Sequence, residues 1–283
     1  MLKAKGPLPE HLEDVSLFKS TYTLVKLVVT KHIYSKARLY STMDRLSIVK
    51  RMESHQMAVF TTQQFAALVG LNVNSASVLL SRLVKAGIVT RVMRGYYALP
   101  STNALAVATG MYVPSYVSLW AAYEYYGTTT QSPRVIDVIN PVHSGSLRLG
   151  LEEGRYVLRF IRTDGRLVYG FKKEYFGEKV AFIAEKERAV VDGLLFPGYV
   201  PLDEVISAIE SGVDARRAME YARKTGKQAV LKRMGYLLSE METSEFSIDF
   251  GELSDTYVPL DPALPRRGRH DSKWRVIVNT VVE

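Results

Sequence analysis

One stretch of the sequence places short hydroxyl and cationic side chains on a single face of a predicted helix. Between residues 74 and 86 the apolar residues recur every three or four positions, which is typical of a helix with one buried side. The predicted buried residues are Ala76, Leu80 and Leu83, with Leu79 at the border. The opposite face shows serines and cations, which can approach the phosphates and base edges of DNA without steric conflict. This pattern predicts a helix that contacts DNA.

The residues before this helix predict the element that must support it. Thr61 or Thr62 is suited to cap a short helix that ends at Gly70, and Gln64 has the spacing of a capping box. Leu71 and Asn72 then form a tight turn. The second helix is predicted to be capped by Asn74 or Ser75 and to stop at Gly87. Two short helices joined in this way form a helix-turn-helix.

Two β-prone segments, 88–93 and 96–99, follow and enclose Arg94-Gly95, which predicts a hairpin that serves as a wing. Arg91 and Arg94 would lie near its tip, where they can reach the DNA backbone or the minor groove. The predicted DNA contacts of the whole winged helix-turn-helix are Asn74, Ser75, Ser77, Val78, Ser81, Arg82, Lys85, Arg91 and Arg94. Val78 predicts an apolar contact, such as one with a thymine methyl group, or else modest specificity. For each residue the alternative is a solvated side chain, and for Arg82 a surface ion pair.

The distribution of charge supports the same interpretation. Residues 1–100 contain 14 Lys and Arg against 5 Asp and Glu, whereas residues 101–283 contain 23 against 24, so the excess of +8 comes from the first third of the chain. A basic segment next to a neutral one is typical of a nucleic-acid reader attached to a second module. The alternative is a solvated basic surface.

The remaining composition excludes several classes of protein. The chain has no cysteine, which excludes disulfides and thiolate sites and fits a reducing cytoplasm. Together with few Asn and Gln, it also fits a thermophilic source, although chance composition explains it equally well. No apolar run reaches the length of a membrane span, and no secretory signal is expected.

The elements after residue 100 predict a second domain. A linker with a short helix covers 100–114, followed by a helix at 118–126 and by strands at 134–140, 154–163, 167–173 and 178–184. Helices at 185–196, 203–211, 214–225 and 227–240 come next, and a strand at 274–281 ends the chain. This order predicts an α+β fold, with an N-terminal winged helix-turn-helix domain followed by a mixed α/β C-terminal domain. The predicted domains are a tail and helical extension at 1–40, the winged helix-turn-helix at 41–100, and the C-terminal domain at 101–283.

Four segments of the second domain carry a resemblance to a known family. They are Tyr116–Gly127, Pro133–Pro141, Glu187–Asp192 and Asp271–Asn279. With the winged helix ahead of them, from about Phe60 to Asn279, they resemble the AbiEi family, the antitoxin and transcriptional-regulator component of type IV toxin–antitoxin systems. The resemblance implies a winged helix that represses its own operon and a C-terminal domain involved in antitoxicity. It also implies a nucleotidyltransferase-like toxin as a functional partner that forms no stable complex, or a stand-alone regulator without a toxin.

Two other functions stay open from the residues alone. A metal-dependent nuclease would need carboxylates and a lysine at strand ends, and the candidates are Asp137, Glu152, Glu174, Glu185 and Lys186. The five histidines, His11, His32, His55, His143 and His270, have no spacing typical of zinc ligands, and no phosphate-binding glycine loop occurs. The sequence therefore predicts no enzyme, no metal and no cofactor. The third possibility is a helix-turn-helix that contacts only proteins.

Three smaller patterns have a structural and a functional interpretation. The aromatic cluster Tyr116, Trp120, Tyr123, Tyr125 and Tyr126 predicts core packing or a binding surface. Arg188 and Asp192 are four residues apart on one helix and predict an ion pair. An apolar stripe from Phe18 to Ile33 predicts either a homodimer contact or packing on the winged helix, and two copies would lengthen the DNA site.

Overall fold

The computed structural model describes residues 45–55, 57–132, 134–241 and 253–281, and the chain divides into two compact units. The N-terminal unit comprises Met1–Tyr116, Arg134–Tyr169 and Lys173–Phe182, and the C-terminal unit comprises Val117–Pro133, Gly170–Lys172 and Ile183–Glu283. The predicted stripe from Phe18 to Ile33 lies outside the described residues. The predicted fold class is confirmed, because the chain is of the α+β type. The predicted boundary after residue 100 remains a prediction.

The first described elements of the N-terminal unit are short helices and strands. These elements are α1 (Arg45–Glu53), β1 (Phe60–Thr61), α2 (Thr62–Val69), α3 (Val73–Lys85), β2 (Thr90–Met93), β3 (Tyr96–Ala98) and α4 (Ala104–Gly110). No single helix in the described ranges is long and apolar enough to cross a membrane. In α1, Leu46 is 58% exposed, while Ile48 and Met52 are buried. The helix therefore packs through the side that carries Ile48 and Met52.

Helix α4 corrects the prediction that residues 100–114 are a linker. The short helix itself is present, and the Asn103 side chain accepts a hydrogen bond from the Leu105 amide at 2.9 Å. Its residues Ala106, Val107 and Ala108 are fully buried, and it packs on strand β5 (Val135–Asn140). Small apolar side chains allow this close approach, so the segment belongs to a core and does not act as a spacer.

Four further strands lie wholly or mostly in the N-terminal unit. They are β6 (Gly145–Leu151), β7 (Gly154–Arg162), β8 (Phe171–Phe176) and β9 (Lys179–Ala184), and residues 171–172 and 183–184 of the last two belong to the C-terminal unit. β7 pairs antiparallel with β6 and parallel with β5, in the order β6-β7-β5. Strand β6 has no counterpart in the sequence analysis, and it contains two glycines, which weaken a strand. The strand predicted at 167–173 begins only at Phe171. Residues Gly165–Leu167 form a 3-10 turn, in which the Asp164 side chain accepts a hydrogen bond from the Arg166 amide.

A lysine from β9 caps the carboxyl end of α1. The Lys179 ammonium donates hydrogen bonds to the carbonyl oxygens of Met52 at 3.1 Å, Glu53 at 3.0 Å and His55. The last carbonyls of a helix lack partners within the helix and carry partial negative charge, so a cation there satisfies them. Burial lowers the pKa of Lys179, and the nearby Glu53 and Glu178 oppose this shift. The contact fixes the helix that precedes the helix-turn-helix.

We expect Lys179→Met to destabilise the N-terminal unit by about 1–3 kcal/mol, because three carbonyl groups lose their donor. Amide hydrogen exchange should rise most in α1, and circular dichroism should show a lower melting temperature. Lys50→Met is the control, because Lys50 is an exposed lysine of the same helix. Equal exchange in α1 of the wild type and Lys179→Met would contradict the capping role.

The C-terminal unit is formed mainly by helices. Its elements are β4 (Tyr116–Ser118), α5 (Leu119–Tyr126), α6 (Lys186–Leu195), α7 (Leu202–Glu210), α8 (Ala215–Lys224), α9 (Gln228–Glu240), β10 (Val258–Pro259), β11 (Arg269–Asp271) and β12 (Val276–Val278). Helix α6 packs against α5, α7, α8 and α9, which explains why Ala189, Val190 and Val191 are fully buried. Within this unit, Val117 of β4 pairs in parallel with Ile183, near the carboxyl end of β9. The final sheet has the order β10-β12-β11. Its strand β12 is shorter than the strand predicted at 274–281.

Helix α9 contains a glycine that the C-terminal core requires. A Cβ atom added at Gly235 would overlap the ring of Trp274, and Trp274 is only 2% exposed. Glycine normally weakens a helix interior relative to alanine, so its presence here reflects the close approach of this ring.

Alanine usually stabilises a helix relative to glycine, but we expect the opposite for Gly235→Ala. The variant should destabilise the C-terminal unit by about 1–3 kcal/mol, because the indole ring of Trp274 has to move. Thermal unfolding followed by circular dichroism measures the effect. Gly150→Ala is the matched control, since an added Cβ there meets no atom within 4 Å. A stabilised Gly235→Ala variant would show that the ring of Trp274 yields without cost.

Candidate nucleic-acid interface

The first helix of the helix-turn-helix has the predicted capping box. The Thr61 hydroxyl accepts a hydrogen bond from the Gln64 amide at 3.2 Å, and the Thr61 amide donates to the Gln64 side chain at 2.7 Å. These two bonds satisfy amide groups that have no partner within the helix. Gly70 ends α2 in the left-handed conformation, with φ of 69°, as its sequence position indicates.

The second helix begins earlier than its sequence predicts. Asn72 is its cap and accepts a hydrogen bond from the Ser75 amide at 2.8 Å, so the prediction of Asn74 or Ser75 as the cap is wrong. The physical reason is that the turn needs only Leu71 after Gly70, which frees the Asn72 side chain to act as the cap. Helices α2 and α3 are bent by 99° relative to one another, within the range of a helix-turn-helix.

The buried side of α3 is the predicted one. Ala76 and Leu80 are 0% exposed and Leu83 is 2% exposed, and they share one hydrophobic core with Phe65 and Val69 of α2. Leu79 is partly buried and packs against the same core. This packing fixes the rotation of α3 about its own axis and thereby decides which side chains face solvent.

The face opposite this core carries the predicted contact residues. All of them are exposed: Asn74, Ser75, Ser77, Val78, Ser81, Arg82 and Lys85 on α3, and Arg91 and Arg94 on the hairpin. Val78 is an apolar residue in this set and is 53% exposed. Their exposure satisfies the geometric requirement for contact with a ligand, while the contact with DNA stays a prediction.

The hairpin after α3 has the form of a wing. Strands β2 and β3 pair antiparallel, with Arg91 opposite Tyr97, and Gly95 has the positive φ of 85° that the turn requires. Strand β1 adds a third strand that was not predicted from the sequence, because two residues are too few for a pattern. The ring of Phe60 on β1 stacks on Tyr97 at 6.1 Å, which ties the hairpin to the start of α2.

The four predicted contact cations have no carboxylate partner among the described residues. In the residues that the structure describes, no carboxylate forms an ion pair with Arg82, Lys85, Arg91 or Arg94. The alternative of a surface ion pair at Arg82 is therefore not supported. Residues 54–123 contain no Asp or Glu at all, which is a further sequence signal of the same surface. Exposed cations without nearby acidic residues in the sequence favour contact with a polyanion.

Two further exposed residues at the start of α3 were not singled out from the sequence. Leu71 is 37% exposed and Val73 is 47% exposed, near the N-terminal end of the helix. Val73 keeps the helical spacing of Ala76 and Leu80, and Leu71 precedes the helix, so the apolar periodicity alone does not reveal their exposure. They add an apolar edge to the exposed face.

The nuclease candidates are largely engaged in structural contacts. The Asp137 carboxylate is buried and accepts two hydrogen bonds from Arg159, at 2.5 and 3.0 Å. Burial raises the pKa of Asp137, and Arg159 acts against this shift. Glu185 accepts a hydrogen bond from Tyr221 at 2.6 Å, and Lys186 donates to the Ser211 carbonyl at 2.8 Å. Within the described ranges, no group of three His, Asp or Glu side chains could hold a metal ion.

The aromatic cluster is mainly a part of the core. Tyr116 and Tyr123 are buried, and the Tyr123 hydroxyl donates to the Ala189 carbonyl at 3.3 Å. The Trp120 indole donates to the Tyr199 carbonyl at 2.9 Å. Core packing is therefore confirmed for Tyr116 and Tyr123, whereas Trp120 is only partly buried and Tyr125 is 36% exposed.

Comparison with known proteins gives one family match, which covers the helix-turn-helix segment and none of the four segments of the second domain that carry the resemblance. Residues 50–100 match the model of a family described as "Transcriptional regulator, AbiEi antitoxin". The matched segment begins within α1 and ends after β3, so it contains the whole helix-turn-helix and its hairpin. None of the curated proteins matches the chain. The predicted resemblance to this family is confirmed for the segment that carries the exposed cationic face.

Proposed function

We propose that the protein is a transcriptional regulator of the antitoxin type that binds double-stranded DNA through α3 and the β2–β3 hairpin. Helix α3 enters the major groove with its serine face, and Arg91 and Arg94 contact the backbone beside it. The contact residues are those predicted from the sequence. The protein acts in the cytoplasm and represses its own operon.

The observation that carries this proposal is the exposed face of α3. Its core residues are buried, its hydroxyl and cationic residues are exposed, and its cations have no carboxylate partner among the described residues. Phosphate neutralisation supplies most of the non-specific affinity of such a surface, and the hydroxyl groups are short enough to reach base edges. One such module reads only a few base pairs, so two copies on adjacent half-sites complete the operator.

The antitoxin role rests on the matched family and not on the geometry of α3. The proposed partner is a nucleotidyltransferase-like toxin, which the protein counteracts without a stable complex. The proposed division of labour assigns DNA binding to residues 41–100 and antitoxicity to the C-terminal domain at 101–283. The protein has no catalytic function in this scheme.

The test is equilibrium binding of the full chain to a duplex from the region upstream of its own gene, followed by fluorescence anisotropy. We expect tighter binding than to a scrambled duplex of equal length, and affinity that falls linearly in log–log form as salt concentration rises. Incubation of the same duplex with Mg²⁺ or Mn²⁺ checks for cleavage. Absence of DNA binding at low salt would refute the proposal, and cleavage that disappears in Asp137→Ala would revive the nuclease alternative.

A protein-binding helix-turn-helix is the second candidate, and the exposed apolar edge formed by Leu71 and Val73 favours it. Exposed apolar side chains near one another are typical of protein contacts. The two functions differ in how their binding affinity depends on salt. Salt screens interactions between charges, so an affinity that comes from buried apolar groups falls little as ionic strength rises. A protein partner bound through this edge would keep its affinity at high salt, whereas the affinity for DNA would fall.

A further inference from the structure

A cavity in the C-terminal unit has the size of a small-molecule site. Its volume is about 510 Å³, and sites for small ligands commonly have volumes of ~300–1,000 Å³. Apolar residues that are nearly inaccessible to solvent form much of its wall, namely Leu194, Val200, Val205, Ile206 and Leu260. These residues come from α6, α7, the segment between them and the residue after β10, and none belongs to the proposed DNA-binding surface.

One buried cation borders this apolar cavity. Arg233 of α9 is only 7% exposed, and its Nε donates to the Pro259 carbonyl oxygen at 2.9 Å. No carboxylate of the described residues forms an ion pair with it. Burial lowers the pKa of Arg233, and Asp261 partly offsets this, yet an arginine remains protonated at neutral pH. A guanidinium group has five N–H donors, so the bond to Pro259 leaves donors available to a ligand.

Two carboxylates also line the cavity, and both are more accessible than Arg233. Asp203 is exposed and accepts a hydrogen bond from the Glu204 amide at 3.0 Å. Asp261 is partly exposed and accepts a hydrogen bond from the Ala263 amide at 2.8 Å. These bonds hold both carboxylates in place without neutralising their charge. The lining therefore combines a buried positive charge with negative charges nearer the solvent.

We propose that this cavity binds a small zwitterion of the α-amino acid type with an apolar side chain. Its carboxylate pairs with Arg233, its ammonium group with Asp203 or Asp261, and its side chain packs on Val205 and Leu260. A neutral apolar ligand would leave the buried guanidinium unpaired, and a multiply charged anion would be repelled by the two carboxylates. The inference is independent of DNA binding by α3.

Isothermal titration calorimetry of the full chain tests this inference, with L-leucine and L-phenylalanine as probes. We expect at least one of them to bind. 4-Methylpentanoate, which lacks the ammonium group, and 3-methylbutylamine, which lacks the carboxylate, should bind about tenfold more weakly or not at all, because each lacks a charge-assisted hydrogen bond. Failure of both amino acids to bind at millimolar concentration, or equal binding of either analogue, would overturn the proposal.

Two variants localise the binding to this cavity. Arg233→Met removes the carboxylate partner, and Ala263→Phe fills the cavity from an exposed position that lines it. Both should reduce affinity about tenfold or more, whereas Arg223→Met, on the exposed face of α8, should leave it unchanged. If Arg233→Met does not fold, the Ala263→Phe variant and the two ligand analogues still test the proposal. Unchanged affinity in Ala263→Phe would overturn the assignment of the ligand to this cavity.

Discussion

Asp192→Ala is expected to destabilise the C-terminal unit by about 3–5 kcal/mol, because it leaves the Arg188 guanidinium buried without its counter-charge. Both side chains are 0% exposed, and Nη2 of Arg188 lies 2.6 Å from Oδ1 of Asp192. The Ser118 hydroxyl also donates to Oδ2 of Asp192 at 2.7 Å. The decrease in stability should be measured by urea denaturation followed by tryptophan fluorescence, since both tryptophans, Trp120 and Trp274, belong to this unit.

Two further variants separate the charge from the packing. Arg188→Met/Asp192→Leu should be more stable than Asp192→Ala alone, because apolar residues of similar size leave no buried charge. Asp255→Ala is the control for an exposed carboxylate, since the Asp255 side chain is 99% exposed and lies 3.6 Å from Arg275. We expect that variant to unfold as the wild type does. Asp192→Ala as stable as the wild type would show that Arg188 finds another partner or reaches water.

Removal of two cations from α3 has the largest expected effect on DNA binding. Arg82→Ala and Lys85→Ala should each weaken binding by about 1–3 kcal/mol if the side chain contacts a base, and by less if it contacts only phosphate. The double variant should also show a smaller salt dependence, with the log–log slope reduced by about one for each phosphate group that is no longer neutralised. Both side chains are exposed and form no ion pair among the described residues, so their removal should leave the fold intact.

The matched control removes two positive charges from another exposed helix. Arg216→Ala/Arg223→Ala in α8 lowers the net charge equally and changes no residue of the proposed interface. Fluorescence anisotropy across a series of salt concentrations compares the two double variants with the wild type. If both weaken binding equally, net charge and not the α3 surface determines affinity, and the proposed orientation of the helix is wrong.

Local signals in the sequence were sufficient to identify the helix-turn-helix. The capping box of Thr61 and Gln64, the stop at Gly70 and the turn at Gly95 act over two to four residues, so their geometry depends little on the rest of the chain. The same is true of the pair Arg188 and Asp192, whose spacing on one helix turn brings the charges together. The cap at Asn72 was not predicted, because Asn74 and Ser75 close behind it are also residues that can cap a helix.

Contacts between distant parts of the chain could not be predicted in this way. Lys179 caps a helix that lies more than 120 residues earlier, which depends on how strand β9 packs. Strand β1 forms only because β3 pairs with it, and β6 is stabilised by β7 despite its glycines. The close fit of Trp274 over Gly235 likewise requires α9 and the last segment of the chain to meet.

The sequence alone determined the α+β class, the boundaries of α2 and of the hairpin within a few residues, the buried side of α3 and therefore the cationic face proposed to bind DNA. Tertiary structure decided that Asp137 is buried in a salt bridge, that residues 104–110 belong to a core, and that Arg233 borders an apolar cavity. The reason is that caps, turns and helix periodicity involve neighbours in the chain. Burial of a polar group, in contrast, depends on which distant segments pack around it.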